Sequence, residues 1–227
     1  MPLRPSIGNP SGFSPAWSGG RVWLIAAALK AADRKVRGFE SLPLRLFRPA
    51  SRLLNRSSGP PTIKTARLIL RPLEPGDLDA MSALLGDAEA LIHWGDPLDG
   101  DGARDWIEQN IARNEEAGIG RCAVVLRESG ELVGDCGLIP TTVEDVAEIE
   151  LGWIVAASQQ GRGIATEAGA AWRDHAFAVL GLERIVSMIS ENNIASRRVA
   201  EKLGLRVERP AVWGGSPMLM YSRTAGP

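Results

Sequence analysis

The chain has 227 residues, 44% of them apolar, a formal net charge of −1 and two cysteines. That length suits one domain of ordinary size plus an appendage, two cysteines are too few for a disulfide framework, and no apolar run approaches the roughly 20 residues that span a bilayer. The charge is uneven: residues 1–60 carry ten Lys/Arg against two Asp/Glu, a balance of +8, and the rest of the chain carries −9, so a basic arm joins an acidic body that suits a cationic or amine partner better than nucleic acid.

In chain order, residues 1–20 are rich in Pro, Gly and Ser without an apolar period and are predicted to be disordered. Residues 21–38 read as a short helix, with Val22 to Leu29 followed by Lys30, Arg34, Lys35 and Arg37. The basic residues follow the apolar stretch, against an export signal. A membrane-surface helix, a targeting segment and an extension without a role stay open. Ser57-Ser58-Gly59-Pro60-Pro61 is a linker, which divides the chain into a basic extension, 1–61, and a body, 62–223.

In the body, Ala66 to Arg71 alternates as a first strand, and Pro75-Gly76-Asp77 opens a helix with Asp77 as cap. Arg104 to Glu116 has a helical period. Cys122 to Leu126 and Leu132 to Ile139 are strands joined by a hairpin at Glu128-Ser129-Gly130-Glu131. Both cysteines fall in these strands and read as buried, reduced thiols of a cytoplasmic protein. Ala147 to Val155 is the clearest alternating strand, with Ile149, Leu151 and Trp153 on one face and Glu148 and Glu150 on the other. Gly163 to Leu180 is a helix, Arg184 to Ser190 a strand, Asn193 to Leu203 a helix closed by Gly204, and Met218 to Arg223 a last strand. The order predicts a mixed α/β, α+β-like fold, a meander followed by crossovers, and argues against a doubly wound sheet.

The strand ending at Val155 leads into Gln160-Gly161-Arg162-Gly163-Ile164-Ala165 and then a helix. Free N–H groups and the positive end of the helix dipole make such a start a candidate anion cradle, and glycines let the backbone approach a phosphate closely. Arg162 adds a positive charge and Gln160 an amide donor. Alone, the motif is equally a glycine-rich helix start without a ligand. Glu150 and Glu148 are candidate bases or solvated carboxylates. Trp94 is a pocket wall or a core anchor, and Trp106, Trp153 and Trp172 read as core. No metal-ligand spacing, nucleophile elbow or Gly-Lys-Ser/Thr phosphate loop is present.

Four landmarks in order resemble the GNAT superfamily of N-acetyltransferases. They are Thr65-Ala66-Arg67-Leu68-Ile69-Leu70-Arg71-Pro72, Glu150-Leu151-Gly152-Trp153, the glycine loop, and Asn193-x-x-Ser196 with Lys202-Leu203-Gly204-Leu205. The last is most similar to the RimJ/RimL-type branch that acetylates N-termini of ribosomal proteins. The resemblance implies a mostly antiparallel, twisted sheet splayed between its fourth and fifth strands, with helices on both faces. It implies acetyl-CoA as cosubstrate, no metal, and an amine acceptor, either a small molecule or a protein N-terminus, with no nucleic acid or integral membrane segment, in a monomer or homodimer.

By the same resemblance, backbone N–H groups from Gly161 to Ala165 hold the pyrophosphate. Trp153, Ile154 and Val155 offer free backbone groups at the splay, with the N–H of Ile154 or Val155 aimed at the thioester carbonyl. Asn193 binds the pantetheine arm. Glu150, then Glu148, is the candidate base, and Trp94 and Glu148 border the acceptor. Many relatives place a tyrosine on the helix after the asparagine. Here the only tyrosine is Tyr221, which leaves Ser196 as the candidate acid, or simply a helix-capping hydroxyl. A dinucleotide-binding oxidoreductase and a non-catalytic acyl-CoA-binding module remain as rival functions.

Overall fold

The computed structural model describes residues 61–226. The basic arm and the helix expected at 21–38 lie outside the described residues. Strand β1 (Ile63–Lys64) pairs with β2 (Leu68–Pro72). Arg71 then grips the Asp77 carboxylate at 2.7 and 2.8 Å, and Asp77 accepts from the Glu74 N–H at 2.8 Å, which ties the strand to the turn that starts α1 (Leu78–Leu85). Helix α2 (Gly100–Ala117) is capped by Asp99, which accepts from the Gly102 N–H at 2.8 Å. It stops at Gly118, whose φ of 68° is left-handed.

A meander of β3 (Arg121–Leu126), β4 (Leu132–Val143) and β5 (Val146–Val155) follows. Helix α3 (Ile164–Ala178), β6 (Arg184–Ile189), α4 (Ile194–Lys202) and the hairpin β7 (Arg206–Trp213) and β8 (Ser216–Thr224) complete the chain. The eight strands form one sheet in the order β1-β2-β3-β4-β5-β6-β8-β7. Only β5 and β6 run parallel. A doubly wound sheet is therefore absent from the described residues, and the dinucleotide rival loses its scaffold.

Strand alternation assigns the two faces. Leu68, Leu70, Val124, Leu138, Leu151 and Trp153 meet Ile164, Ala168 and the fully buried Trp172 of α3, together with Ala200 and Leu203. On the other face Ala123, Val125 and Ile154 pack against Met81, Leu84, Leu85, Ala103 and Ile107 of α1 and α2. Cys122 and Cys136 stand opposite each other across β3 and β4 as free, buried thiols, and burial pushes the Cys122 thiol up to about 12. No helix among the described residues is long and apolar enough to cross a membrane.

Three features differ from the sequence expectation, one of them β1, a two-residue strand ahead of the expected first strand. The β4–β5 hairpin is longer, reaching Val143 and Val146, and turns at Glu144 and Asp145 with φ of 49° and 67°. Strand β7 was not expected. It is largely exposed, charged and interrupted by Pro210, a composition confined to sheet edges, and β7 is indeed the edge.

Gly137 is the tightest backbone approach in the meander, since an added Cβ would strike the Gly120 carbonyl and lie 2.9 Å from the Arg121 Cα. Gly137→Ala is expected to cost about 1–3 kcal/mol by overpacking, read as a lowered midpoint in urea unfolding with unchanged slope.

Candidate active site

Strands β5 and β6 share one paired position, Glu150 with Val186. Continuing that parallel ladder would send the Met188 N–H to the Leu151 carbonyl. Instead the Ser187 hydroxyl donates to the Leu151 carbonyl at 2.6 Å, and the Met188 N–H reaches the Glu150 carboxyl. Side chains thus satisfy the groups that the parting strands release, and the sheet opens. This is the expected splay between fourth and fifth strands, which are β5 and β6 once Ile63–Lys64 is counted.

The Ala156 N–H donates to Val133 on β4 at 2.9 Å. By strand alternation the backbone groups of Gly152 and Ile154 also face β4, whereas Trp153 and Val155 face the opening. Of the two amides expected to meet a reacting carbonyl, Ile154 turns away and Val155 turns toward the gap. A cavity occupies the gap and reaches both faces of the sheet. Trp94, Glu150 and Gly152 line it from the α1/α2 side and Trp153, Asn193 and Ser196 from the α3/α4 side, with Met188, Trp213 and Met218 completing the wall.

Glu150 is 3% exposed, and its Oε2 has no hydrogen-bond partner among the described residues. Burial pushes its carboxyl up to about 7, opposed by Arg121 and the Met188 N–H. Arg121 is itself buried, paired with Asp135 at 3.1 Å, and stacked 5.1 Å from the Trp94 ring and 5.8 Å from that of Trp106. It stands in one row with Gly137 and Gly152, and a Cβ on Gly152 would strike its Nη1. Glycine at 152 therefore lets the guanidinium lie across β4 and β5 toward Glu150. Trp106 Nε1 donates to the remaining Asp135 oxygen at 3.0 Å. Burial pushes the Asp135 carboxyl up against the pull of Arg121.

At the head of α3, Gly161 and Gly163 have φ of 73° and 81°, conformations that favour glycine. The backbone N–H groups from Gly161 to Ala165 have no acceptor among the described residues. Arg67 holds the outer side of this loop, donating to the Arg162 carbonyl at 3.0 Å and to Glu167 at 2.7 Å, with Thr65 also on Glu167 at 2.6 Å. The Thr65-Ala66-Arg67 segment thus braces the loop from about 100 residues away. Arg162 itself reaches Gln159 at 2.5 Å. Gln160, expected to donate to a phosphate, gives its amide to the Val155 carbonyl at 3.1 Å and so ties the loop to the splayed strand.

Other candidates separate. Asn193 Oδ1 caps α4 by accepting from the Ser196 N–H at 3.0 Å, and Trp153 Nε1 donates to the Ser196 hydroxyl at 3.3 Å. Both residues line the cavity. Glu148 does not; Arg184 holds its carboxylate at 3.1 Å. Trp153, expected as core, is both core and cavity wall, and Trp94 lines the cavity while covering Arg121. Tyr221 is buried with its hydroxyl on Arg197 at 3.0 Å. Asp99 caps α2, and Asp101 in its first turn lies 3.3 Å from Arg104. Among the described residues no cluster of three His, Cys, Asp or Glu is placed to hold a metal.

The Acetyltransferase (GNAT) domain family matches residues 67–206. The chain belongs to the GNAT acetyltransferase family. A Bacillus subtilis (strain 168) protein, YkkB, is 28% identical over 160 residues, covering 70% of this chain and 93% of its own. The acetyltransferase crystal structure from Agrobacterium tumefaciens str. C58 superposes with a TM-score of 0.64 at 32% identity, covering 75% of this chain and 98% of that one. A ribosomal L7/L12 alpha-N-protein acetyltransferase, solved in complex with coenzyme A, shares the fold with a TM-score of 0.61 at 20% identity over 74% of this chain and 98% of its own.

In this GNAT domain, Arg121, Asp135, Ser187 and Trp213 escaped sequence reasoning. Arg121 and Asp135 did leave a trace: each is a lone charge in an otherwise apolar strand, and opposite charges in adjacent strands invite pairing. Arg121→Met strands the Asp135 charge in the interior and is expected to cost about 3–5 kcal/mol in chemical unfolding. The double variant Arg121→Met/Asp135→Asn should recover part of that loss, because the orphaned charge is gone while the Trp106 bond retains an acceptor.

Proposed function

We propose that this protein is an acetyl-CoA-dependent N-acetyltransferase that carries out direct attack by a primary amine. The observation that carries the proposal is the parted β5–β6 edge, where a buried carboxyl with a free oxygen, Glu150, stands on the same strand as the outward-facing N–H of Val155. The chain's groups fit the cosubstrate: unpartnered N–H groups from Gly161 to Ala165 suit a diphosphate at a helix start, and Trp153 and Asn193, which line the cavity at the parted strands, suit a pantetheine arm. When bound, acetyl-CoA supplies an electrophilic thioester carbon.

Glu150 accepts the proton of the incoming amine, directly or through one water. A carboxyl held near 7 is matched to that task at neutral pH, and only its ionised form serves. The Val155 N–H donates to oxygen where negative charge grows. Ser196 donates a hydrogen bond to the departing sulfur; an ordinary thiol titrates at about 8.5, so the thiolate is a good enough leaving group to depart as the anion and take its proton afterwards from water, while the serine keeps its own. The Ser196 oxygen already accepts from Trp153 Nε1, which leaves its own hydrogen free to donate. Arg162, whose side chain meets only the neutral Gln159 amide among the described residues, adds positive charge beside the loop for phosphate groups.

With Glu150 as base, kcat/KM for the amine rises with pH through a midpoint near 7. Glu150→Gln should lower it about 100-fold or more and flatten the profile while calorimetric affinity for acetyl-CoA holds. An unchanged profile in that variant would remove Glu150 from the mechanism. Gly163→Val places a β-branched residue at a φ of 81°. It should weaken coenzyme A binding at least about tenfold by calorimetry, with the far-UV spectrum retained; wild-type affinity would refute the cradle.

A further inference from the structure

The acceptor half of the cavity is chemically lopsided. Its walls are Trp94 from the α1–α2 connection, Met188 from β6 and Trp213 and Met218 from the β7–β8 hairpin, set around the single carboxyl of Glu150. Among the described residues no Lys or Arg lines the cavity, and no Asp or second Glu does; the exposed His93 is its one other titratable side chain. Arg121 is close but sealed away: it is 1% exposed, lies behind the Trp94 ring and is engaged with Asp135. The Trp213 indole is fixed in place, its Nε1 donating to Thr141 at 3.0 Å.

We infer that the acceptor is a monoamine carried on an apolar or aromatic body, without a carboxylate and without a second cation. This deepens the proposed acetyl transfer and rests on it. A carboxylate beside the amine would enter an apolar wall with no fixed cationic partner, and burying an unpaired charge is costly. A polyamine or aminoglycoside would need several acidic partners where one exists. The Trp94 face, otherwise a place for a second cation, already carries the Arg121 guanidinium. Flat indoles and flexible Met side chains instead suit an apolar body of variable shape.

The test compares amines that share a scaffold. With the whole 227-residue chain and acetyl-CoA, thiol release is followed for tryptamine, tryptophan, spermidine and kanamycin, and coenzyme A affinity is measured in parallel. The expected result is a kcat/KM for tryptamine about 100-fold above those of the other three. Trp213→Ala should raise the KM for tryptamine while leaving the KM for acetyl-CoA within about twofold. Met218→Arg, which adds the missing cation, should shift the tryptophan-to-tryptamine ratio toward tryptophan. Equal or faster turnover of tryptophan, spermidine or kanamycin overturns the inference. So does an absence of tryptamine turnover with coenzyme A binding intact, which leaves the acetyltransferase proposal standing. Failure to bind coenzyme A removes both.

Discussion

The site depends on one interrupted ladder. After Glu150 and Val186 the two parallel strands stop bonding each other, and an open edge inside a sheet exposes polar backbone that must be satisfied. Two side chains take over the bonds that the ladder drops. Ser187 fills the Leu151 carbonyl and Glu150 receives the Met188 N–H. The opening is therefore a stable feature of the fold. Glu150 has two parts in it, as a capping acceptor for one parted strand and as the carboxyl facing the gap.

Its electrostatics follow from the same placement. A carboxyl on the inner edge of a packed sheet loses hydration, and burial pushes it up to about 7. Arg121 holds that rise in check from across the row it shares with Gly137 and Gly152, and the missing side chain of Gly152 leaves room for its flat guanidinium. Asp135, Trp94 and Trp106 in turn hold Arg121. A chain of buried contacts thus links α2 to the site, largely through groups that do not themselves line the cavity.

The glycine loop at the head of α3 shows a comparable division. Two glycines with positive φ shape it locally, but its outer side is braced by Thr65 and Arg67 through Glu167 and the Arg162 carbonyl. Gln160 ties its inner end to the last carbonyl of the splayed strand. The loop and the opening are consequently one mechanical unit, and the polar side chains that resemble ligand donors in the sequence are partly committed to holding it.

Much of this was legible in the sequence. Period-two alternation located the strand from Ala147 to Val155, helical periods located α2, α3 and α4, and the strand–glycine-loop–helix order pointed to an anion cradle. These signals are local: a backbone period, a cap or a positive φ is set by a few adjacent residues. Strand β7 was lost because charge and a proline at an edge carry no apolar pattern. Glu150 was ranked ahead of Glu148, but their surroundings could not be told apart, since both alternate outward on one strand. Tertiary structure decided between them. Glu148 meets Arg184 and is neutralised there, whereas Glu150, two residues on, falls where the strands part, under Trp94 and beside Arg121. Burial and pairing are properties of the neighbours that folding brings in from distant parts of the chain, and no period within one strand encodes them.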